Sequence, residues 1–368
     1  MTTLTLFFTR GVSLMEWETS GTLARELALY QQMVARGWRV NFVTYGAQDC
    51  LTYADQLRGI AIYDNARRWP RARYTRWQPL LHAPALARSH VIKSNQVDGS
   101  EAALRAARLW RKPFVARCGY LLSSFSRQEH GPDSPQARQA LEHEARVFGQ
   151  AQLVIVTAAW MADDVRQRLP RARVAVIPNY VETERFRPRL SDDPAPRYDL
   201  AFVGRISREK NLPALLTAVR ALGLRLLVVG DGPLRAPLQA EWGDVGGLVT
   251  WQGRVPHAEL PALLRSVRAF VQPSFHEGHP KALLEAMACG LPVVGTDVVG
   301  VRECIRHEVD GLLCSPDAES LQATLARLLS DEALMAHLGQ AARRYAVDHL
   351  ALDKIAEREM AILQEIIP

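Results

Sequence analysis

The chain lacks the features that would assign it to a membrane or to the secretory pathway. No apolar run reaches the roughly 18 residues that a membrane-spanning helix needs. The apolar run at residues 4–8 is short, follows no basic segment and is closed by Arg10, whereas a signal peptide has a basic start and a longer apolar core. We therefore predict that residues 4–8 form a first buried strand and that the chain stays in the cytoplasm.

Cysteine is scarce, and the five residues form no CxxC pair and no metal-ligand spacing. An odd number without a signal peptide favours reduced thiols, and we expect cysteines that only pack in the core. They are Cys50, Cys118, Cys289, Cys304 and Cys314. Zinc-finger and RNA-recognition signatures are also missing, so we predict no nucleic-acid partner.

The composition is that of a soluble globular protein, with 48% hydrophobic and 23% charged residues. A chain of 368 residues is too long for one ordinary core, since domains average about 150 residues. Two domains are therefore expected. The net charge of +6 suits an anionic ligand or an anionic membrane surface.

Short β-rich apolar runs alternate with segments of helical period in two successive series. This alternation is typical of parallel sheets covered by helices on both faces. The first series predicts strands at residues 3–8, 39–44, 90–92, 114–116, 153–157 and 173–177. The second predicts strands at residues 199–203, 225–229, 249–252, 269–272, 292–295 and 311–314.

Residues 178–199, rich in Pro, Arg and Asp, separate the two series and have the composition of a linker. We predict an α/β fold of two doubly wound domains, residues 1–178 and 179–349. An amphipathic helix at residues 350–368 is expected to pack back on the first domain. Because open α/β sheets bind ligands at the carboxyl ends of their strands, we expect a cleft where the two domains face each other.

The stretch from Pro273 to Gly290 is predicted to form a loop and a short helix after a buried strand. Pro280 suits the first helical position, and Gly290 suits a left-handed residue after the helix. The helix N-terminus would offer an anion site. Glu277 and Glu285 would lie roughly 12 Å apart if helical throughout. That is too far for a carboxylate pair acting on one bond, but it suits the two ends of an extended ligand with phosphates between them.

Glu277-Gly278-His279-Pro280, followed by Glu285, resembles the E-x7-E signature of retaining GT-B glycosyltransferases of family 4. Two further segments are similar to that family. Residues 202–212 resemble its strand, loop and helix with a paired Arg and Lys, and residues 177–186 resemble its interdomain segment. The resemblance extends from residue 174 to about residue 345, while the N-terminal half matches only in layout.

The resemblance implies a fold of two Rossmann-like domains, the first binding the acceptor and the second binding a nucleotide-sugar donor. Arg205 and Lys210 would bind the donor diphosphate and stabilise charge on the leaving group. Glu277 would contact the transferred sugar and Glu285 the ribose hydroxyls. We count Glu277, Arg205 and Lys210 as the catalytic set. The other implied donor-binding residues are Gly21, Gly204, Val255, Gly278, His279, Pro280, Lys281 and Ala282.

We expect no metal and no cofactor, because in this family cationic side chains and helix N–H groups take the place of a metal. The nucleotide sugar is a co-substrate. No clear DxD motif lies near the donor segment, since Asp163-Asp164 and Asp192-Asp193 occur in other contexts.

The N-terminal half departs from the family pattern in two places. Of the usual paired glycines after the first strand only Gly21 is present. Residues 19–22 either meet the donor phosphate and the acceptor, or merely cap a helix with Ser20 at the N-cap. The usual histidine after strand 114–116 is missing. Either Arg117 or Tyr120 takes its place on the acceptor side, or this is only a buried strand end.

Residues 67–77 are basic and interleaved with aromatic residues. One interpretation is contact with anionic lipid headgroups or with a polyprenyl-phosphate acceptor, which would bring the protein to the inner face of the membrane. The other is a solvated loop.

We therefore expect a retaining transfer of a hexose from a UDP- or GDP-sugar to a hydroxyl of a sugar or a lipid-linked acceptor. The expected setting is the synthesis of cell-surface polysaccharide, lipopolysaccharide or glycolipid. Two alternatives stay open: a sugar-nucleotide epimerase or hydrolase on the same fold, and a non-catalytic nucleotide-sugar-binding scaffold. Transfer requires an acceptor, epimerisation does not, and a scaffold shows no turnover.

Overall fold

A computed structural model describes residues 1–243 and 245–368 of the chain. It contains two compact units. The first comprises residues 1–178 and 356–368, and the second comprises residues 179–355.

The first unit is built on a parallel sheet of seven strands in the order β3-β2-β1-β4-β5-β6-β7. Its central strands are buried on both faces because helices cover the sheet on each side. The strands are β1 (Thr3–Phe7), β2 (Arg39–Val43), β3 (Ile60–Tyr63), β4 (Val91–Ser94), β5 (Phe114–Cys118), β6 (Leu153–Val156) and β7 (Val174–Val176). The sequence did not predict β3, because this edge strand has only four residues and exposes Ala61.

Nine helices of the described residues precede the second unit. They are α1 (Leu14–Thr19), α2 (Leu23–Ala35), α3 (Asp49–Tyr53), α4 (Arg71–Leu81), α5 (Ala83–Arg88), α6 (Ser100–Trp110), α7 (Leu122–His130), α8 (Pro135–Phe148) and α9 (Ala159–Arg168). The interpretation of residues 67–77 as a solvated loop is wrong for residues 71–77, which are helical. Helix α4 begins at Arg71, and it buries Tyr74 and Gln78, which lie four residues apart on one face.

The interpretation of Ser20 as an N-cap is also wrong. Helix α1 intervenes after β1, and Ser20 is its C-cap residue. The Ser20 hydroxyl donates to the Trp17 carbonyl at 3.1 Å, so it is turned back towards the preceding helix. Helix α2 has Thr22 at its N-cap, without a side-chain capping bond.

The second unit contains a parallel sheet of six strands in the order β10-β9-β8-β11-β12-β13. The strands are β8 (Tyr198–Val203), β9 (Leu226–Val229), β10 (Val249–Gly253), β11 (Val267–Gln272), β12 (Val293–Thr296) and β13 (Leu312–Cys314). The helices are α10 (Leu212–Leu222), α11 (Arg235–Trp242), α12 (Leu260–Arg265), α13 (Lys281–Ala288), α14 (Val299–Arg302), α15 (Ala318–Ser330) and α16 (Glu332–Tyr345). A π-helical turn, Ala346–Leu350, leads to α17 (Leu352–Gln364).

The linker interpretation of residues 178–199 is wrong for the part that follows Pro178. Val181 and Phe186 are buried in the core of the second unit. The Val181 N–H donates to Leu350 O at 2.8 Å, and Val181 O accepts from the Leu352 N–H at 3.0 Å. Residues 181–186 therefore pack into the second unit, to which residues 179–199 belong.

Helix α13 follows the predicted pattern, shifted by one residue at its start. Pro280 is the N-cap and not the first helical residue, because its ψ of 105° is extended. Gly290 has a φ of +70° after the helix, as predicted. The cysteine prediction is wrong at one position: Cys50 is exposed, while the other four thiols are buried and all five are free. Among the described residues, no helix is long and apolar enough to cross a membrane.

A buried ion pair joins the first sheet to the C-terminal helix within the first unit. Lys93, in β4, donates to the Glu359 carboxylate of α17, and both side chains are almost fully buried. The Lys93 ammonium also lies 5.4 Å from the centre of the Tyr30 ring. Burial lowers the pKa of Lys93, and the Glu359 charge opposes that shift. The pair therefore fixes how α17 packs on this sheet.

We predict that Lys93→Met lowers the free energy of unfolding by about 3–5 kcal/mol, because it leaves the Glu359 carboxylate buried and unpaired. The double variant Lys93→Met/Glu359→Leu should recover most of the loss, since it removes both charges. The free energies of unfolding of both variants are measured by urea denaturation, which is followed by tryptophan fluorescence. A single variant as stable as the native chain would contradict the prediction.

Candidate functional site

The candidate site of the second unit lies where its strand order reverses. Strands β8 and β11 are neighbours although they are not consecutive in sequence, and such a switch point is where open α/β sheets bind ligands. The loop after β8 carries Gly204, Arg205 and Lys210. The loop after β11 carries Glu277 and leads into α13. The topology therefore brings Lys210 close to Glu277, although the two residues are 67 positions apart in the sequence.

The two loops are joined by backbone and amide hydrogen bonds. The Phe275 N–H donates to Glu209 O at 2.8 Å. Asn211 has a left-handed φ of +51°, and its side-chain amide donates to Pro273 O at 3.0 Å and to Pro316 O at 2.7 Å. Lys210 and Glu277 are thus held on a common frame.

Glu277 is buried and accepts three hydrogen bonds on one carboxylate oxygen. The donors to Oε1 are Lys210 Nζ at 2.6 Å, Gln272 Nε2 at 2.6 Å and Ser274 Oγ at 2.7 Å. Burial of a carboxylate is costly unless it is paired and hydrogen-bonded, and these three donors meet that requirement. Among the described residues, Oε2 has no hydrogen-bond partner, so it is open to a ligand.

Glu285, in α13, is buried and contacts a residue that sequence reasoning missed. His257 Nε2 lies 2.7 Å from Glu285 Oε1, and both side chains are less than one-tenth exposed. His257 follows β10, 28 residues before its partner, and no local motif marks it. Glu285 and Glu277 therefore have separate sets of partners, as expected if each serves a different part of a ligand.

Asn179 holds the loop that leads into α13. Its side-chain amide donates to His279 O at 2.8 Å, and its backbone N–H donates to His279 Nδ1 at 3.3 Å. Burial lowers the pKa of His279 to about 4, so this imidazole is neutral near pH 7. Gly278, Lys281 and Ala282 are half-buried around it. Their backbone groups surround the N-terminus of α13, where a helix attracts anions.

Three glycines permit close backbone approaches around these loops. A Cβ on Gly230 would lie 1.9 Å from Gly204 O, and one on Gly232 would lie 2.3 Å from Ile206 O. The turn at residues 230–233 thus packs against the loop that carries Gly204 and Arg205. A Cβ on Gly300 would lie 2.2 Å from Glu277 O. Any side chain at these positions would push the functional loops out of place.

The other predicted donor-side residues of this unit are less constrained. The Arg205 side chain is exposed and forms no ion pair with the described residues. Val255 is half-buried and packs against the core of the unit beyond the end of β10. Burial also lowers the pKa of His276, which precedes Glu277.

The remaining predicted residues lie in the first unit. Arg117 is at the end of β5, where its Nη1 donates to Asn95 O at 3.4 Å. Tyr120 follows and is 46% exposed. Ser20 and Gly21 lie between α1 and α2, and Gly21 has a φ of +73°. Among the described residues, no group of three or more His, Cys, Asp or Glu side chains has the arrangement of a metal site.

Two family models match consecutive parts of the chain. Glycosyltransferase Family 4 matches residues 22–185, and Glycosyl transferases group 1 matches residues 182–345. The chain belongs to glycosyltransferase family 4. The chain is similar to a curated relative, the amylovoran biosynthesis glycosyltransferase AmsK of Erwinia amylovora. It is 30% identical over 250 residues, which cover 62% of this chain and 61% of AmsK.

Solved glycosyltransferase structures share the fold. Sucrose-phosphate synthase from Thermosynechococcus elongatus has a TM-score of 0.79 at 21% identity over 99% of both chains. Anabaena HepE in complex with UDP and glucose has a TM-score of 0.74 at 20% identity over 98% of this chain and 99% of its own. The prediction of a GT-B fold with two Rossmann-like domains is confirmed. The chain spans between 60% and 64% of the length of three curated glycosyltransferases that it matches.

Proposed function

We propose that this family 4 protein transfers a hexose from a UDP- or GDP-sugar to a hydroxyl acceptor, with retention of configuration and without a metal. The observation that carries the proposal is the arrangement at the β8/β11 switch point. Lys210 pairs with Glu277 in the loop that leads into α13, and a second carboxylate, Glu285, lies within that helix and is held separately by His257. This is a combination of charges that suits a diphosphate flanked by two hydroxyl-bearing groups.

Each residue has a defined part in the proposed reaction. Lys210 and Arg205 neutralise the charge that develops on the leaving nucleoside diphosphate. Glu277 Oε2 accepts from a hydroxyl of the transferred sugar, while Glu285 accepts from the ribose. The acceptor oxygen bonds to the anomeric carbon on the face from which the diphosphate leaves. The acceptor proton passes to a phosphate oxygen of that leaving group.

Two similarities support the choice of donor and pathway. Anabaena HepE, a neighbour in fold, has been solved with UDP and glucose, which favours a UDP-sugar over a GDP-sugar. AmsK is named for the biosynthesis of amylovoran, which favours cell-surface polysaccharide among the expected settings. On this proposal, a hydroxyl-bearing sugar or lipid-linked sugar is the acceptor, and the first unit binds it.

The first test is a thermal-shift screen of the whole chain against UDP, GDP, ADP and TDP, with and without EDTA. A ligand at 100 times its Kd adds about 2.7 kcal/mol of apparent stability. We expect one diphosphate to raise the melting temperature, and EDTA to leave that shift unchanged. A shift that EDTA abolishes would contradict the metal-free site, and no shift with any diphosphate would overturn the donor site.

Removing either cation should abolish most turnover. We expect Arg205→Ala and Lys210→Ala each to lower kcat/KM for the donor by roughly 100-fold, because each removes a charge that stabilises the leaving group. Arg208→Ala, an exposed arginine of the same loop, is the matched control. Unimpaired turnover in both test variants would remove the diphosphate role. Turnover without any acceptor would favour the epimerase or hydrolase alternative.

Helix α4 supports a further part of the proposal, contact with an anionic membrane. Arg71 and Arg76 line a groove of about 950 Å³ together with Arg10 and Arg105. Neither Arg71 nor Arg76 forms an ion pair with the described residues. Trp77 and Leu80, on the same helix, are 43% and 52% exposed. Exposed arginines beside exposed apolar side chains are typical of helices that lie on anionic lipid.

We predict that the chain binds phosphatidylglycerol vesicles but not phosphatidylcholine vesicles, and that salt weakens the binding. Arg71→Ser/Arg76→Ser should reduce binding about 30-fold, at about 1 kcal/mol for each arginine. The control Arg138→Ser/Arg171→Ser makes the same change in net charge at two other exposed positions of the first unit. Equal losses in both double variants, measured by vesicle flotation, would exclude a specific role for α4.

A further inference from the structure

The hydrogen bond between His257 and Glu285 leaves the carboxylate open on one side only. His257 approaches Oε1 at 2.7 Å, and a carboxylate can only accept, so Nε2 carries the proton. Glu285 Oε2 has no hydrogen-bond partner among the described residues. A side chain with several rotatable bonds is thus held in one orientation, with one oxygen satisfied and the other available.

The His257 ring is itself held in place by its surroundings. Its centroid lies 5.2 Å from that of Phe186, with the two planes tilted by 46°. Within the described part of the chain, its buried Nδ1 has no hydrogen-bond partner. The ring therefore makes a single polar contact, and that contact is to Glu285. A histidine that served only to fill space would not need to direct its one donor at this carboxylate.

The guanidinium of Arg343 links Phe186, which packs against His257, to the helix that carries Glu285. Arg343 Nη1 lies 2.8 Å from three carbonyl oxygens, those of Thr183, Phe186 and Ala288. Phe186 contacts the His257 ring, and Ala288 is the last residue of α13. The ring and the carboxylate consequently belong to one rigid group of residues.

We propose that His257 is a positioning residue, which presents Glu285 Oε2 to the ribose hydroxyls of the donor and so makes the site selective for ribonucleotides over 2′-deoxyribonucleotides. This inference rests on the donor role proposed for Glu285. Without the His257 donor, the carboxylate loses its fixed orientation and must be ordered again when a nucleotide binds. The hydroxyl contact then adds less to affinity, and selectivity between the two sugars falls.

The test compares affinities for a nucleoside diphosphate and its 2′-deoxy counterpart by calorimetry. The probes are UDP with 2′-deoxy-UDP, GDP with 2′-deoxy-GDP and ADP with 2′-deoxy-ADP. A hydrogen bond to a charged group contributes about 1.5–3 kcal/mol, so the native chain should prefer the ribonucleotide by at least about tenfold. His257→Phe, which keeps a ring but removes the donor, should bring the ratio of the two Kd values close to one.

Two further variants separate positioning from simple packing. His257→Gln retains an N–H donor and should keep most of the ribose preference. His337→Phe makes the same chemical change at an exposed position of α16 and should keep all of it. A loss of global stability alone would weaken binding of both sugars equally and leave the ratio unchanged.

The possible outcomes distinguish the proposed donor site from the proposed positioning role of His257. A native chain that binds a diphosphate but does not discriminate against the 2′-deoxy form overturns the positioning role, even if His257→Phe fails to fold. An unchanged ratio in a folded His257→Phe variant also overturns it, while the donor site stands. A native chain that binds none of the probes overturns the donor site and the positioning role together.

Discussion

The ion pair between Lys210 and Glu277 is the contact on which the arrangement of the second unit's site depends. It requires the loops after β8 and β11 to lie side by side, which the reversal of strand order at this point makes possible. The carboxylate is buried, so it depends on Lys210, Gln272 and Ser274 for its stability. The amide of Asn211 joins the same two loops, and Gly300 packs closely against the second of them, at Glu277. The fold and the charge pair therefore stabilise each other.

The sequence predicted well those parts of the fold in which burial alone dictates structure. The strands buried on both faces, such as β6 and β9, are continuous apolar runs, and each was predicted within a few residues. Prediction failed where burial is partial. The edge strand β3 exposes Ala61. Helix α4 buries only one of its faces, at Tyr74 and Gln78. Residues 181–186 lie in a segment whose composition is typical of a linker, although Val181 and Phe186 are buried in the core of the second unit.

The site could be predicted only as far as its residues follow one another along the chain. The spacing of Glu277 and Glu285 is visible in sequence because both belong to a single loop and helix. The partner of Glu285 is not, because His257 reaches it from the end of another strand. The same limit applies to Lys93 and Glu359, which are 266 positions apart and meet in the core of the first unit. Such pairs follow from the way helices pack on the sheets, and that packing is not written in any local pattern.

The carboxylates of Glu277 and Glu285 share an arrangement that the sequence motif does not reveal. Each has one oxygen bound by protein donors and one without a partner in the described structure, so a ligand does not have to displace an existing bond to reach it. Lys210 differs, because its ammonium is already engaged with Glu277. On the proposed donor role, an incoming diphosphate would share this cation with the carboxylate. Since an ammonium has three donors, Lys210 can keep Glu277 in place while it contacts a phosphate. If Lys210 has the proposed role, the charge that the leaving group needs is already present and oriented in the free protein before a donor binds.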